Sequence, residues 1–279
     1  MRTAAPSLAS PSPASHEAQA TPTSEPRLSV SLARSSADVE DALRLRYKVF
    51  AEELGARIDS DDGLDRDSFD DWCDHLIVRD DDSLRVIGTY RILPPHRARQ
   101  LGRLYSESEF DLSRLAHLRE SMVEIGRSCV HRDYRQGPAI MLLWAGLAQY
   151  MRCNGYRHMV GCASASLADG GAQAAALRDS LQGHLADPEY RVFPRLPFPH
   201  ERFQRAAQCE MPPLIRGYMR LGAQICGEPA WDPDFNTADF LVWLSLERLN
   251  PRYARHFDLM VDASTLRTSH ALAAAVPSC

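Results

Sequence analysis

The chain has 279 residues, 44% of them hydrophobic, with 32 Lys+Arg against 37 Asp+Glu and a formal net charge of -5. That length holds one large domain or two small ones around a sizeable core. The mild acidity excludes bulk nucleic-acid binding, and no apolar run is long enough to span a bilayer.

Residues 1–26 are rich in Ala, Ser, Pro and Thr and lack the apolar core of a signal peptide, so they read as a disordered N-terminal tail. Residues 262–279 read as a flexible C-terminal tail, and residues 27–261 carry one continuous globular pattern. Its first element is a short strand over residues 28–32. A helix follows over residues 37–54, where Val39, Leu43, Tyr47, Phe50 and Leu54 recur at helical spacing and Gly55 supplies a left-handed cap. Arg46 borders that stripe. Either its stem packs with the head in water, or it reaches into a pocket.

Residues 59–74 are crowded with acids. Asp59-Ser60-Asp61-Asp62-Gly63 suggests a calcium loop, but the glycine comes one place early and no Glu closes it, so a solvated loop is the better reading. Residues 75–78 and 85–93 read as an antiparallel pair with a polar turn at residues 80–83. Loop and a short helix are expected over residues 104–118, then a strand over residues 122–131. Residues 138–151 form a helix with Pro138 in its first turn. It is apolar nearly all round and hence buried. A strand at residues 156–162, an irregular helix-rich insertion at residues 172–221, and strands near residues 223–226 and 239–246 complete the pattern. This mixed order predicts an α/β (α+β) fold.

The chemistry concentrates between Val123 and Ala139. Glu124 sits between Val123 and Ile125 on a strand, where partial burial raises its pKa and suits a general base, although a Glu on an exposed edge strand would look the same. Arg127, three residues on, belongs on the opposite face of a regular strand. A bulge at Gly126 would bring Glu124 and Arg127 into one cleft. Arg91, on the preceding strand, needs a partner inside a sheet: Glu124, a structural ion pair, or a substrate carboxylate held bidentately. Arg132 and Arg135 flank the turn before Gly137-Pro138-Ala139, where a helix start offers a phosphate cradle; the alternative is a pair of surface arginines. The small residues of Gly161–Ser166, expected just after a strand, leave room for an acyl chain or close a tightly packed strand end.

The seven cysteines, Cys73, Cys129, Cys153, Cys162, Cys209, Cys226 and Cys279, are scattered and never spaced C-x-x-C. That spacing fits a reducing compartment and argues against a zinc site or a disulfide framework. Cys129 and Cys162 read as core thiols, with a weak alternative that Cys129 is a nucleophile partnered by His131. No metal-ligand spacing is present among His75, His131, His158 and His184.

These residues resemble the GNAT acyltransferases. Arg46-Tyr47-Lys48-Val49-Phe50, the run from Phe69 to Leu76, and Gly88-Thr89-Tyr90-Arg91 are similar to the acyl-homoserine-lactone-synthase branch. Glu124–Val130, Leu142-Leu143-Trp144, Gly161–Ser164, Pro212–Ala223 and Asp234–Asp239 resemble the L-ornithine N-acyltransferases, some of which are called hemolysin-like. The resemblance runs from about Leu28 to Phe257. Tyr134 stands where the GNAT phosphate loop usually has Gln or Arg, and the Trp of the lactone synthases is missing near Ala56, which favours the ornithine enzymes.

The resemblance implies a GNAT-type fold, with a central, mixed, mostly antiparallel sheet flanked by helices. It implies transfer of a 3-hydroxy fatty acyl group from acyl carrier protein to the α-amine of L-ornithine, giving lyso-ornithine lipid. On it, Glu124 and Arg127 are catalytic. Arg46, Phe50, Asp71, Asp74 and Arg91 bind substrate, with Asp71 or Asp74 meeting the ornithine side chain, and Arg132, Arg135, Gly137 and Ala139 bind the carrier phosphate. No cofactor or metal is expected beyond the acyl-phosphopantetheine co-substrate. The location is cytoplasmic, with transient contact with the inner membrane surface. Two alternatives stay open: a lactone-type synthase using S-adenosylmethionine, and a non-catalytic hemolysin-like module that binds acyl carrier protein or lipid.

Overall fold

The computed structural model describes residues 26–258; the two predicted tails lie almost wholly outside them. Strand β1 (Leu28–Leu32) is followed by helix α1 (Ser36–Tyr47), which passes directly into a π-helical turn at Lys48–Glu53. Ser35 caps α1 through a box with Asp38, and Gly55, at φ 74°, ends the π turn in the left-handed conformation expected of it. Next come β2 (Asp74–Asp80), β3 (Val86–Leu93), α2 (Pro95–Leu101), the short β4 (Phe110–Asp111) and β5 (Met122–Val130). Helix α3 (Ala139–Cys153) crosses to β6 (His158–Ser166). The chain then runs through α4 (Ala172–Ser180), β7 (Phe193–Pro194), α5 (Pro213–Leu221), β8 (Gln224–Ile225), β9 (Ala230–Asp232), β10 (Thr237–Ser245) and α6 (Pro251–Asp258).

The main sheet has the order β1-β2-β3-β5-β6-β10-β8, with β9 beside β10, while β4 and β7 form a separate ribbon. Among the named strands of the sheet, β5 and β6 pair in parallel and the others antiparallel. The mixed, mostly antiparallel sheet flanked by helices is the expected class. Side-chain alternation sends Val78, Ile92, Val123 and Ile125 into a core shared with Leu143, Trp144 and Leu147 of α3. Leu93, Met122 and Val160 face the other way, into a second core with Leu104, Phe110 and Leu115. As predicted, α3 is buried almost all round.

Several boundaries differ from expectation. Gly161–Ser166 does not follow a strand but is the body of β6, paired with β10 along its whole length. The predicted insertion is mostly irregular, with α4 and α5 at its two ends. Helix α2 and the short β4, β7 and β9 were not predicted; each is too short to carry a readable period.

Two glycines set close approaches around β5 and α3. A Cβ on Gly161 would lie 2.3 Å from the Ile125 carbonyl oxygen, and one on Gly217 would lie 1.8 Å from the Trp144 ring. The first admits β6 tightly against β5; the second seats α5 on α3. Gly161→Ala collides with main chain that cannot swing away, so it is expected to destabilise by roughly 1–3 kcal/mol, the usual cost of overpacking. Urea unfolding measures this, and an unchanged midpoint would show that β6 does not depend on that contact.

Candidate active site

The site begins where β5 leaves β6. Their parallel pairing runs Met122↔His158, Val123↔Met159, Glu124↔Val160 and stops there, so residues 126–128 have no ladder partner on that side. On the other side β5 stays paired with β3, but Thr89 meets Cys129 while Arg91 meets Gly126. One residue too many therefore lies opposite Tyr90. The bulge is at Arg127–Ser128, one step beyond the predicted Gly126, and Arg127 rather than the glycine takes the left-handed conformation, at φ 50°. A non-glycine residue held there costs of order 1–2 kcal/mol. The extra residue reverses the alternation, so Arg127 turns to the same side as Glu124. A Cβ on Gly126 would meet open space.

That space is a cavity of about 480 Å³ whose wall includes Glu124, Arg127 and Arg91. Phe50, Leu54, Pro212 and Leu214 give it an apolar side, from the π turn of α1 and the start of α5. Ser164, Ser166, Thr237 and Asp239, from β6 and β10, wall another side.

Glu124 is buried and accepts three hydrogen bonds. Tyr105 N donates to Oε2 at 2.6 Å, and Ser106 donates to Oε1 through its backbone N at 2.7 Å and its hydroxyl at 2.6 Å. Burial pushes its pKa up, and these donors and Arg91 hold it back. A carboxylate offers about four lone-pair sites, so one on Oε2 is left for an incoming proton. The 3-10 turn at Tyr105–Ser108, inside the stretch expected as loop and a short helix, is thus the clamp on Glu124. Its Ser106 has no periodicity to mark it.

Beneath the cavity three arginines interlock with three aspartates from the acidic loop. Arg46 Nε donates to Asp65 Oδ2 at 2.8 Å and Arg46 Nη1 to Asp70 Oδ1 at 2.6 Å. Arg91 Nη1 reaches Asp67 at 2.6 Å and Asp70 at 3.2 Å. Arg127 stands 3.2 Å from Asp65 and 3.3 Å from Asp67. Burial works against the Asp70 charge, but Arg46 and Arg91 bring its pKa down to about 2. The Arg127 guanidinium also lies over the rings of Phe235, at 4.9 Å, and Tyr105, at 5.2 Å. Arg46 therefore follows neither predicted course. It is wholly buried and ion-paired, and it does not line the cavity. Arg91 lines the cavity, with Asp67 and Asp70 as its partners instead of Glu124.

The other predicted binding residues divide. Phe50 lines the cavity, whereas Asp71 is exposed and Asp74 is held by Arg97 at 3.0 Å and Tyr150 at 2.8 Å, both outside the cavity wall. Asp71 lies in the 3-10 turn before β2 and Asp74 is the first residue of β2; neither lines the cavity. Arg132 and Arg135 both bind Glu53, at 3.3 Å and 2.6 Å, one residue from Leu54 of the apolar wall. Gly137 is exposed and Ala139 buried in the first turn of α3; neither lines the cavity. Burial pushes the Cys129 thiol up to about 12, and His131 faces Asp133 and Arg85, so this pair is no activated nucleophile. In the acidic loop, Asp62 accepts from Ser60 and Leu64 and faces Arg66, as a solvated loop does.

Three cavity-side acids have no role in the sequence reading, although Asp239 ends the Asp234–Asp239 run that carries the resemblance. Asp232 and Asp239 line the wall, and ligand atoms of Glu109, Cys162 and Asp239 lie within 4.8 Å of one another. Burial, with Asp239 and Asp232 beside it, pushes the Glu109 carboxyl up to about 9. A carboxyl whose folded pKa is raised keeps its proton natively after the unfolded chain has lost it. Its stabilising contribution is full below the ordinary 4.5 and is lost as pH rises toward about 9. Glu109→Gln cannot ionise. It is expected to melt above wild type near pH ~8 and to lose that advantage near pH ~4. Thermal unfolding at both values checks this, and equal melting at the higher pH would contradict it.

Residues 45–145 match the acetyltransferase (GNAT) domain family. The chain is 35% identical to the L-ornithine N(alpha)-acyltransferase of Rhodobacter capsulatus over 84% of this chain and 95% of that protein. It is 36% identical to the protein of that name from Agrobacterium fabrum, over 82% and 85% respectively. A CoA-dependent acyl-homoserine lactone synthase solved with SAM and isopentyl-CoA aligns at TM-score 0.48 and 17% identity, over 83% of this chain and 90% of that one.

Proposed function

The chain belongs to the L-ornithine N(alpha)-acyltransferase family, and we propose that it moves a 3-hydroxy fatty acyl group from acyl carrier protein to the α-amine of L-ornithine, giving lyso-ornithine lipid. It is an N-acyltransferase of GNAT fold. The observation that carries the reading is Glu124, buried at the divergence of β5 and β6 in the wall of the cavity, with one lone pair unclaimed.

The amine substrate is mostly protonated near neutral pH and must lose a proton to attack a thioester. Glu124 takes it, directly or through one water. The nitrogen then bonds to the carbonyl carbon, and the unpaired β5 edge at residues 126–128 stands beside the developing oxyanion. Collapse breaks the C–S bond, and the thiolate leaves as the carrier thiol after taking up a proton. With the thiols of Cys129 and Cys162 both pushed up by burial, direct transfer fits better than a covalent enzyme intermediate.

The apolar wall of Phe50, Leu54, Pro212 and Leu214 suits the acyl chain. Arg127 or Arg91 in the wall holds the ornithine carboxylate, and the exposed Arg132 and Arg135, beside Glu53 near that wall, meet the carrier phosphate. No helix among the described residues is long and apolar enough to cross a membrane.

Purified protein, 3-hydroxyacyl carrier protein and L-ornithine are expected to yield the amide by mass spectrometry. Glu124→Gln is expected to slow that transfer by roughly 10²–10⁴ while keeping its fold by circular dichroism. Near-normal turnover in the variant would remove Glu124 from the base role, and methylthioadenosine release from S-adenosylmethionine would favour the lactone-type reaction instead.

A further inference from the structure

Acyl transfer leaves one side of the cavity unused, and that side is acidic. Asp239 lines the cavity and is only 4% exposed, yet its Oδ1 has no hydrogen-bond partner. Both carboxyl oxygens of Glu109 are also buried without one, and so is the hydroxyl of Thr237 in the cavity wall. Asp232, half-buried at the end of β9, adds a further carboxylate to the wall. Two buried carboxyl groups within 4.8 Å of each other make a costly arrangement unless a cation or a proton lies between them; in the empty recess Glu109 keeps a proton, which a cation arriving beside Asp239 would displace. The two arginines of the cavity wall do not supply that cation, since Arg127 pairs with Asp65 and Asp67, and Arg91 with Asp67 and Asp70.

We propose that Asp239 and Glu109, with Thr237 and Asp232 beside them, form the subsite for a side-chain ammonium on the amine substrate. These groups are then what makes a second cationic amine preferred over a neutral side chain of the same length. The inference rests on the reading of this cavity as the acyl-transfer site and adds the recognition that reading lacks.

The geometry suits such a substrate. Ser106 Oγ donates to Glu124 at 2.6 Å and lies 3.5 Å from Cys162 Sγ, which belongs to the same cluster as Glu109 and Asp239. The recess is thus a short step from the group that takes the α-amine proton. Five bonds separate the two nitrogens of ornithine, about 6 Å when extended. An ammonium has three donors and no acceptor, which matches a recess of unpartnered acceptors. A divalent metal fits less well. Cys162 would have to be a thiolate to bind one, and burial together with Glu109 and Asp239 holds its proton on.

The test is kinetic, with 3-hydroxyacyl carrier protein as donor and either L-ornithine or L-norvaline as acceptor. L-norvaline has the same carbon chain without the terminal amine. Wild-type kcat/KM is expected to favour L-ornithine by at least ~100-fold, because norvaline leaves buried acceptors unpaired. In Asp239→Asn the ratio is expected to fall at least tenfold. Comparable use of both acceptors by the wild-type protein would overturn the subsite while leaving acyl transfer standing. So would a folded Asp239→Asn that keeps the wild-type ratio. Acylation of neither acceptor by the wild-type protein would overturn the acyl-transfer reading and the subsite with it. Should Asp239→Asn misfold, Thr237→Val and Asp232→Asn in the same wall are read in the same way, and folded variants that both keep the wild-type ratio would overturn the subsite.

Discussion

The end of the β5–β6 ladder at Glu124↔Val160 is the constraint on which the site depends. Up to that point the two strands are bound in parallel and fully covered. Beyond it β5 remains fastened to β3 on one side only, and the gap it leaves becomes the cavity. The bulge at Arg127–Ser128 is the second half of the device, because it delivers a guanidinium to the face that already carries a carboxylate. Gly161 permits the close approach just before the strands part. Backbone geometry, more than any single side chain, decides where chemistry takes place.

Charge is handled in two contrasting ways around that gap. Below it, Arg46, Arg91 and Arg127 meet Asp65, Asp67 and Asp70 in an interlocked set of ion pairs, and the rings of Phe235 and Tyr105 cover the Arg127 guanidinium. Such a cluster costs desolvation but fixes the acidic loop, α1, β3 and β5 relative to one another. Across the gap, Glu109 and Asp239 have no such partners, and burial with mutual repulsion keeps a proton there. The arginine–aspartate network is a scaffold with one opening, since Arg127 lines the cavity and its Nε has no hydrogen-bond partner. An unsatisfied one is a place for something to bind.

The parts of this molecule that repeat were legible in its sequence. The stripe of α1, its glycine cap, the β2–β3 hairpin and the largely buried α3 all carry a periodic, all-apolar or turn signal. Glu124 stood out because an acid interrupts an apolar strand. Its clamp, Tyr105 and Ser106, did not, since a 3-10 turn leaves no pattern to recognise. The bulge was placed one residue early because glycine is the residue that tolerates a left-handed backbone most cheaply, and the ion pairs of Arg127 override that preference. Arg46 looked like a surface or pocket arginine. Its burial is decided by Asp65 and Asp70, contributed by a loop whose path no local rule predicts. Asp71 and Asp74 lie within the Phe69–Leu76 run that carries the resemblance, whereas Asp239 reaches the cavity through pairing with the distant Ser164, and Asp232 through the short β9–β10 hairpin.

Taken together, the open strand edge, the clamped carboxylate and the apolar wall are what the proposed transfer needs, a nitrogen that gives up its proton beside a thioester carbonyl. A crystal structure with N-acyl-ornithine bound tests that claim most directly. The amide nitrogen is expected within ~3.2 Å of the Glu124 carboxylate, or one water away, with the acyl chain running along Phe50 and Leu54. A product seated with its nitrogen remote from Glu124, or in another part of the molecule, would contradict the account.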